Sequence, residues 1–140
     1  MPETNTPQSL TGKGWKPREL PGFIGLAGPL WTRREGDAWA YGLFVEDRHL
    51  NPAGRAHGGA LMTLIDHAIS AVAWEFSGRK ACVTLQMDCQ FMAALAPGQF
   101  AEVRVDITHQ TGGLVFARGT LTADSTPVMA AQAVLRKLSS

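Results

Sequence analysis

Residues 59–76 read GALMTLIDHAISAVAWEF, and the spacing of their apolar side chains decides the fold. Leu61, Ile65, Ala68, Ile69, Val72 and Phe76 recur at helical intervals and make one stripe. Its flanks, Leu64, Ala71, Ala60 and Ala73, are also apolar or small. A helix lying on a wet surface would carry charge there, so this one is expected to be surrounded by protein. Ser77-Gly78 ends it in the manner of a glycine cap.

The text on either side of the helix alternates with a period of two. Leu30–Arg34 and Ala38–Val45 precede it, joined by Gly36-Asp37 as a hairpin turn, and Glu46–Ala56 is a loop. Ala81–Met92, Phe100–His109, Leu114–Ala123 and Pro127–Leu138 follow, with turns at Pro97-Gly98 and Gly112-Gly113. In Ala81–Met92 the alternation puts Val83, Leu85, Met87, Cys89 and Phe91 on the core face, and Thr84, Gln86, Asp88 and Gln90 opposite. Strands in close succession predict an antiparallel meander. The expected architecture is α+β: a curved antiparallel sheet of five or six strands wrapped around one long central helix. Residues 1–21, rich in Pro, Thr, Gly and Lys, read as a flexible N-terminal arm before a domain at 22–140.

Composition bounds the function. The chain has 140 residues, enough for one domain, and 45% hydrophobic content, enough for a packed core. Its 13 Lys+Arg against 12 Asp+Glu leave a net charge of +1, which argues against nucleic acid as a partner. No apolar run spans a bilayer, and Met1–Leu10 lacks a signal-peptide pattern, so a cytoplasmic protein is expected. Cys82 and Cys89 lie roughly 23 Å apart along one strand, too far to pair with each other, and are read as buried core thiols.

Asp66 is the anomaly in the apolar helix, lying at the edge of the stripe beside Met62, Thr63, Ser70 and Ala73. A buried carboxylate is costly without a partner. Either Thr63, Ser70 or a backbone group satisfies it, or it does chemistry. The segment N-P-A-G-R-A-H-G-G, residues 51–59, feeds straight into the helix start. Free N–H groups at Gly58 and Gly59, with the positive end of the helix dipole, would favour an oxyanion, or the glycines would only permit a tight turn. His57 stands at the mouth of that site as a cap or a catalytic group. His49, His67 and His109 share no ligand spacing with it, so no metal is expected.

Asn51, His57-Gly58-Gly59 and Asp66 within A-L-M-T-L-I-D-H-A together resemble the signature of hotdog-fold acyl-CoA thioesterases, of the phenylacetate-degradation (PaaI) type. The resemblance runs from about Gly22 to Leu138, including G-F-I-G-L-A-G-P-L and V-T-L-Q-M-D-C-Q-F-M. It implies the hotdog fold, hydrolysis of an acyl- or aryl-CoA to free acid and CoA, and no cofactor. It implies Asp66 as general base or nucleophile, Gly58 N–H as oxyanion donor, and His57 positioning the carbonyl or thiolate. Asn51 would orient water or the acyl carbonyl, and Thr84 would supply a hydroxyl after the helix. It further implies a homodimer with sites across the interface, Asp66 and Thr84 of one subunit facing Asn51, His57 and Gly58 of the other, and allows a dimer of dimers.

Gly59, Met62, Gly112 and Gly113 are the substrate-facing candidates, although Met62, with Trp74 and Met92, reads better as core packing than as pocket lining. The Gly112-Gly113 turn departs from relatives that carry basic residues near the CoA phosphates. Arg118, His109, Arg55, Arg79 and Lys80 are the remaining cations for that role. Two other readings fit the same fold: an acyl-thioester dehydratase or hydratase, and a non-catalytic acyl-CoA binding domain.

Overall fold

The computed structural model describes residues 5–138. Its elements run α1 (Pro7–Gly12), β1 (Lys16–Arg18), α2 (Phe23–Ala27), β2 (Leu30–Glu35), β3 (Ala38–Phe44), a 3-10 turn at Asp47–His49, α3 (Gly58–Phe76), β4 (Cys82–Phe91), β5 (Phe100–Gln110), β6 (Leu114–Ala123) and β7 (Thr126–Lys137). The apolar stripe is the buried face of α3: Leu61, Leu64, Ile65, Ala68, Ile69 and Ala73 are removed from water. They pack on Val103, Val115, Leu121, Met129 and Leu135 of the sheet's concave face, forming one core. The approach is close at Gly119, where a Cβ would come within 2.9 Å of the Ile65 side chain. Glycine there lets the helix sink onto the sheet.

All six strand pairings are antiparallel, but the order β1-β2-β3-β5-β6-β7-β4 is not a plain meander. A helix of 19 residues carries the chain about 28 Å, across the whole concave face. The strand that follows it, β4, therefore starts at the far edge, and β5 returns to lie beside β3. Among the described residues the sheet has seven strands rather than five or six, the extra one being the short β1.

That extra strand belongs to the segment expected to be a loose arm. Residues 1–4 lie outside the described part, as do 139–140 of the expected domain. Residues 7–18 instead fold onto the outer face of the sheet. Thr6 caps α1 through a reciprocal capping box with Ser9, and Pro7 occupies the first turn. Leu10 and Trp15 are buried against Trp31, Ala40 and Phe100 in a second cluster. The Trp15 and Phe100 rings meet edge-on at 4.8 Å, and the Arg33 guanidinium lies 4.6 Å from the Trp15 ring. Two apolar anchors in an otherwise polar stretch make no periodic pattern, which is why the sequence reads as a tail. Trp15→Ala is expected to cost about 3–5 kcal/mol in urea unfolding, as for other core aromatics. A loss below about 0.5 kcal/mol, typical of an exposed site, would mean the segment is not packed.

The alternation in β4 is the other expectation overturned. A bulge between Thr84 and Gln86 interrupts the register with β7. Val83 and Leu85 point outward and are exposed, while Cys82, Thr84, Met87 and Cys89 take the helix side. One extra residue shifts the pleat, so the faces before the bulge are the reverse of those predicted. Cys82 and Cys89 are free, as expected, but half-buried rather than core. The helix is likewise not covered all round within one chain, since Met62, Trp74 and Phe76 are exposed. Met92, just after β4, is exposed as well, so none of Met62, Trp74 and Met92 packs the core of the single chain.

Candidate active site

The loop between β3 and α3 is held at several points, and each anchor serves to place His57. His49 is buried, its Nδ1 accepting from the Glu46 N–H at 2.9 Å. Its Nε2 therefore carries the proton and donates to the Ala27 carbonyl at 2.6 Å, tying α2 to the loop. The Asn51 side-chain oxygen accepts from the N–H groups of Ala53 and Arg55, at 2.9 and 3.1 Å. Asn51 thus spends its carbonyl on shaping the loop, and only its amide N–H2 is left to meet a substrate. The His57 N–H donates to the His49 carbonyl at 2.7 Å, and Ala56 N–H to Leu95 at 2.8 Å. His49 is the rivet beneath this loop, a role that its lack of ligand spacing does not reveal.

His57 is the N-cap of α3, its Nδ1 accepting the Gly59 N–H at 2.9 Å. Ala60 N–H bonds back to the His57 carbonyl at 2.9 Å. This accounting separates the two glycines. The Gly59 donor is consumed by the cap, and Gly58, the first helical residue, keeps an N–H with no intrahelical acceptor. The ring of Phe91 stands beside Gly58, 3.4 Å from where a Cβ would be. Phe91 is a wall of the site that sequence reasoning misses, because alternation places it in the core.

Asp66 lies two turns further along α3, half-buried on the flank that faces β4. The Thr84 hydroxyl donates to Asp66 Oδ1 at 2.7 Å. Thr63 is not its partner, since that hydroxyl donates to the Gly59 carbonyl at 2.8 Å. The bulge in β4 is what turns Thr84 inward to make this bond. With one carboxylate oxygen anchored, the other is free to take a proton. The neighbouring His67 is half-buried and packs its ring edge against Tyr41, with centroids 6.5 Å apart. Burial pushes the His67 pKa down and favours the neutral ring, partly opposed by the charge of Asp66.

The remaining candidates do not join this group within one chain. Gly112 and Gly113 sit in the β5–β6 turn, where Lys137 N–H donates to the Gly113 carbonyl and its ammonium to Thr111. Arg118 projects from the outer face of the sheet, in register with Asp106 and Gln132. Met62 is one helical turn before Asp66 and exposed beside it. Among the described residues no cluster of His, Cys, Asp or Glu could hold a metal.

The model of the Thioesterase superfamily matches residues 53–130, from the Asn51 loop through α3 to β7. The chain belongs to the thioesterase superfamily. Solved structures share its fold. Zebra fish thioesterase superfamily member 2 is 20% identical, with a TM-score of 0.77 over 86% of this chain and 89% of that one. The phenylacetic acid degradation protein PaaI from Thermus thermophilus is 22% identical, with a TM-score of 0.72 over 83% and 98%. A hypothetical thioesterase protein from Streptococcus pneumoniae, solved with coenzyme A, is 22% identical, with a TM-score of 0.71 over 77% and 87%. The helix-wrapped sheet of this thioesterase-superfamily chain is the hotdog fold. No helix among its described residues is long and apolar enough to cross a membrane.

Proposed function

We propose that the chain is an acyl-CoA thioesterase whose active sites are built across a homodimer. The observation that carries this reading is the separation of its two chemical groups. Gly58 and Asp66 are eight residues apart on one helix, about 12 Å along its axis. A thioester carbonyl needs its oxyanion donor and its attacking group each within about 3–3.5 Å, so one chain cannot supply both. A second copy can. Among the described residues β4 ends the sheet with an unpaired edge, and Val83, Leu85, Phe91 and Met92 are exposed on or beside it, with Met62 on the adjoining helix. Such an apolar edge is a template for pairing with another strand. Two-fold pairing there would bring the Asp66–Thr84 pair of one subunit towards the His57–Gly58 helix start of the other.

In this arrangement the free oxygen of Asp66 takes a proton from water as the hydroxide forms its bond to the acyl carbon. The carbonyl oxygen, now an anion, is held by Gly58 N–H and the positive end of α3. Collapse breaks the C–S bond, and the CoA thiolate leaves with the proton returned from Asp66. His57, with Nδ1 tied to its own helix, presents Nε2 to the substrate as a positioning group. Arg55 lies on the loop that delivers His57 and is our candidate for the CoA phosphates. Two unpaired cysteines suit a cytoplasmic enzyme. The test is release of free thiol from a panel of aromatic and aliphatic acyl-CoAs. Saturable turnover on at least one of them is expected, whereas tight binding with no thiol released over hours would replace the enzyme with a binding domain.

A further inference from the structure

α3 leaves part of the concave face uncovered. Beneath its C-terminal end, Trp39, Tyr41, Val72, Phe76, Val105 and Ile107 line a cavity of about 690 Å³ bounded by the β2–β3 hairpin and β5. Small-molecule sites run to about 300–1,000 Å³. Tyr41 is 7% exposed, yet its hydroxyl has no hydrogen-bond partner among the described residues. The ring meets His67 edge-on. The hydroxyl is not sealed off, since among the described residues the buried side-chain polar atom without a partner is Trp31 Nε1; it is open to donate where Tyr41 lines the cavity. Burial and the nearby Glu75 charge push the phenol up to about 12, so it is an O–H donor at any physiological pH.

The charges around the mouth narrow the ligand. Glu35 is already held by Arg33 at 2.6 Å and Arg104 at 2.7 Å. Arg34 and Arg79 lie over the Trp39 and Trp74 rings. The carboxylates of Asp37 and Glu75 stand on the same lining. Two cations against two carboxylates give a free anion no advantage, and Glu75 repels one beside Tyr41. The aromatic walls of Trp39 and Phe76 suit a ring.

We propose that this cavity is a second ligand site, separate from Asp66 and Thr84, for a neutral ring-bearing molecule whose carbonyl oxygen accepts from Tyr41. The probe is acetophenone, titrated into the full chain by calorimetry or ligand-observed NMR, with benzoate and benzylamine as charged counterparts. Saturable binding of acetophenone, and weaker binding of both ions, is expected. Tyr41→Phe should weaken it about fivefold to tenfold, the worth of one hydrogen bond, without lowering the melting temperature. Ala38→Trp, on the exposed hairpin at the mouth, should abolish it. Asp66→Asn should leave it unchanged, which separates this site from the proposed chemistry. No saturable binding of acetophenone, equal affinity in Tyr41→Phe, or benzoate binding as tightly would each overturn the proposal.

Discussion

Asp66→Asn is expected to lower kcat for thioester hydrolysis by about 10²–10⁴-fold, the usual worth of a positioned acid or base. The substitution is close to isosteric. Its side-chain oxygen can still accept from Thr84, whose hydroxyl stands 2.7 Å from Asp66 Oδ1. The helix flank and the β4 contact are therefore kept, and only the charge and the proton acceptor are lost. KM should move by no more than a few fold, and the size of the assembly in light scattering should not change. Undiminished turnover by an intact assembly would remove Asp66 from the mechanism. Base and nucleophile separate in a single turnover in heavy-oxygen water: label found first in Asp66 means direct attack by the carboxylate.

Gly58→Pro is expected to be nearly as damaging, at about 2.7–4 kcal/mol of transition-state stabilisation, or 10²–10³ in kcat. The substitution is unusually specific. Gly58 is the first residue of α3, where proline is well accommodated, and His57 before it already has the extended backbone (φ −63°, ψ 135°) that proline requires. An added Cβ would sit 3.4 Å from the Phe91 ring, an ordinary contact. What proline removes is the single N–H. Thermal stability should be retained while activity falls; full activity would exclude Gly58 as the oxyanion donor. Co-expressing Gly58→Pro with Asp66→Asn then tests the shared site. In a random mixture about half the dimers are mixed, and each holds one complete site of two, so activity should recover to roughly a quarter of the native value. No recovery would show that donor and acid are not brought together across a two-fold.

The helix was legible because burial of α3 depends on a period of 3.6, which any local reading detects. Asp66 stood out for the complementary reason, as the acid among residues such as Leu64, Ile65 and Ile69 that never meet water. Thr84 was another matter. Alternation alone turns it away from the helix, and a bulge, which depends on how β7 pairs, turns it back. Gly58 and Gly59 were equivalent as letters until the His57 cap took one N–H and left the other. Leu10 and Trp15 were hidden in a polar segment because their partners Trp31 and Phe100 lie elsewhere in the chain. One cue was present, since Thr6-Pro7 followed by Ser9 is a helix start.

The sequence by itself determined one central helix, alternating strands around it, and an acid with a glycine-rich helix start as the candidate chemistry. These follow from residue type and local spacing, which hydrophobic burial and helix geometry read directly. Only the tertiary structure decided where β4 lies, which way Thr84 points, which glycine keeps its donor, and that the N-terminal segment covers the outer sheet. Each of those is set by a contact between residues far apart in the chain, and no local period encodes it. The distance between Gly58 and Asp66 belongs to both: the spacing was always in the sequence, and the fold made it the ground for proposing a second subunit.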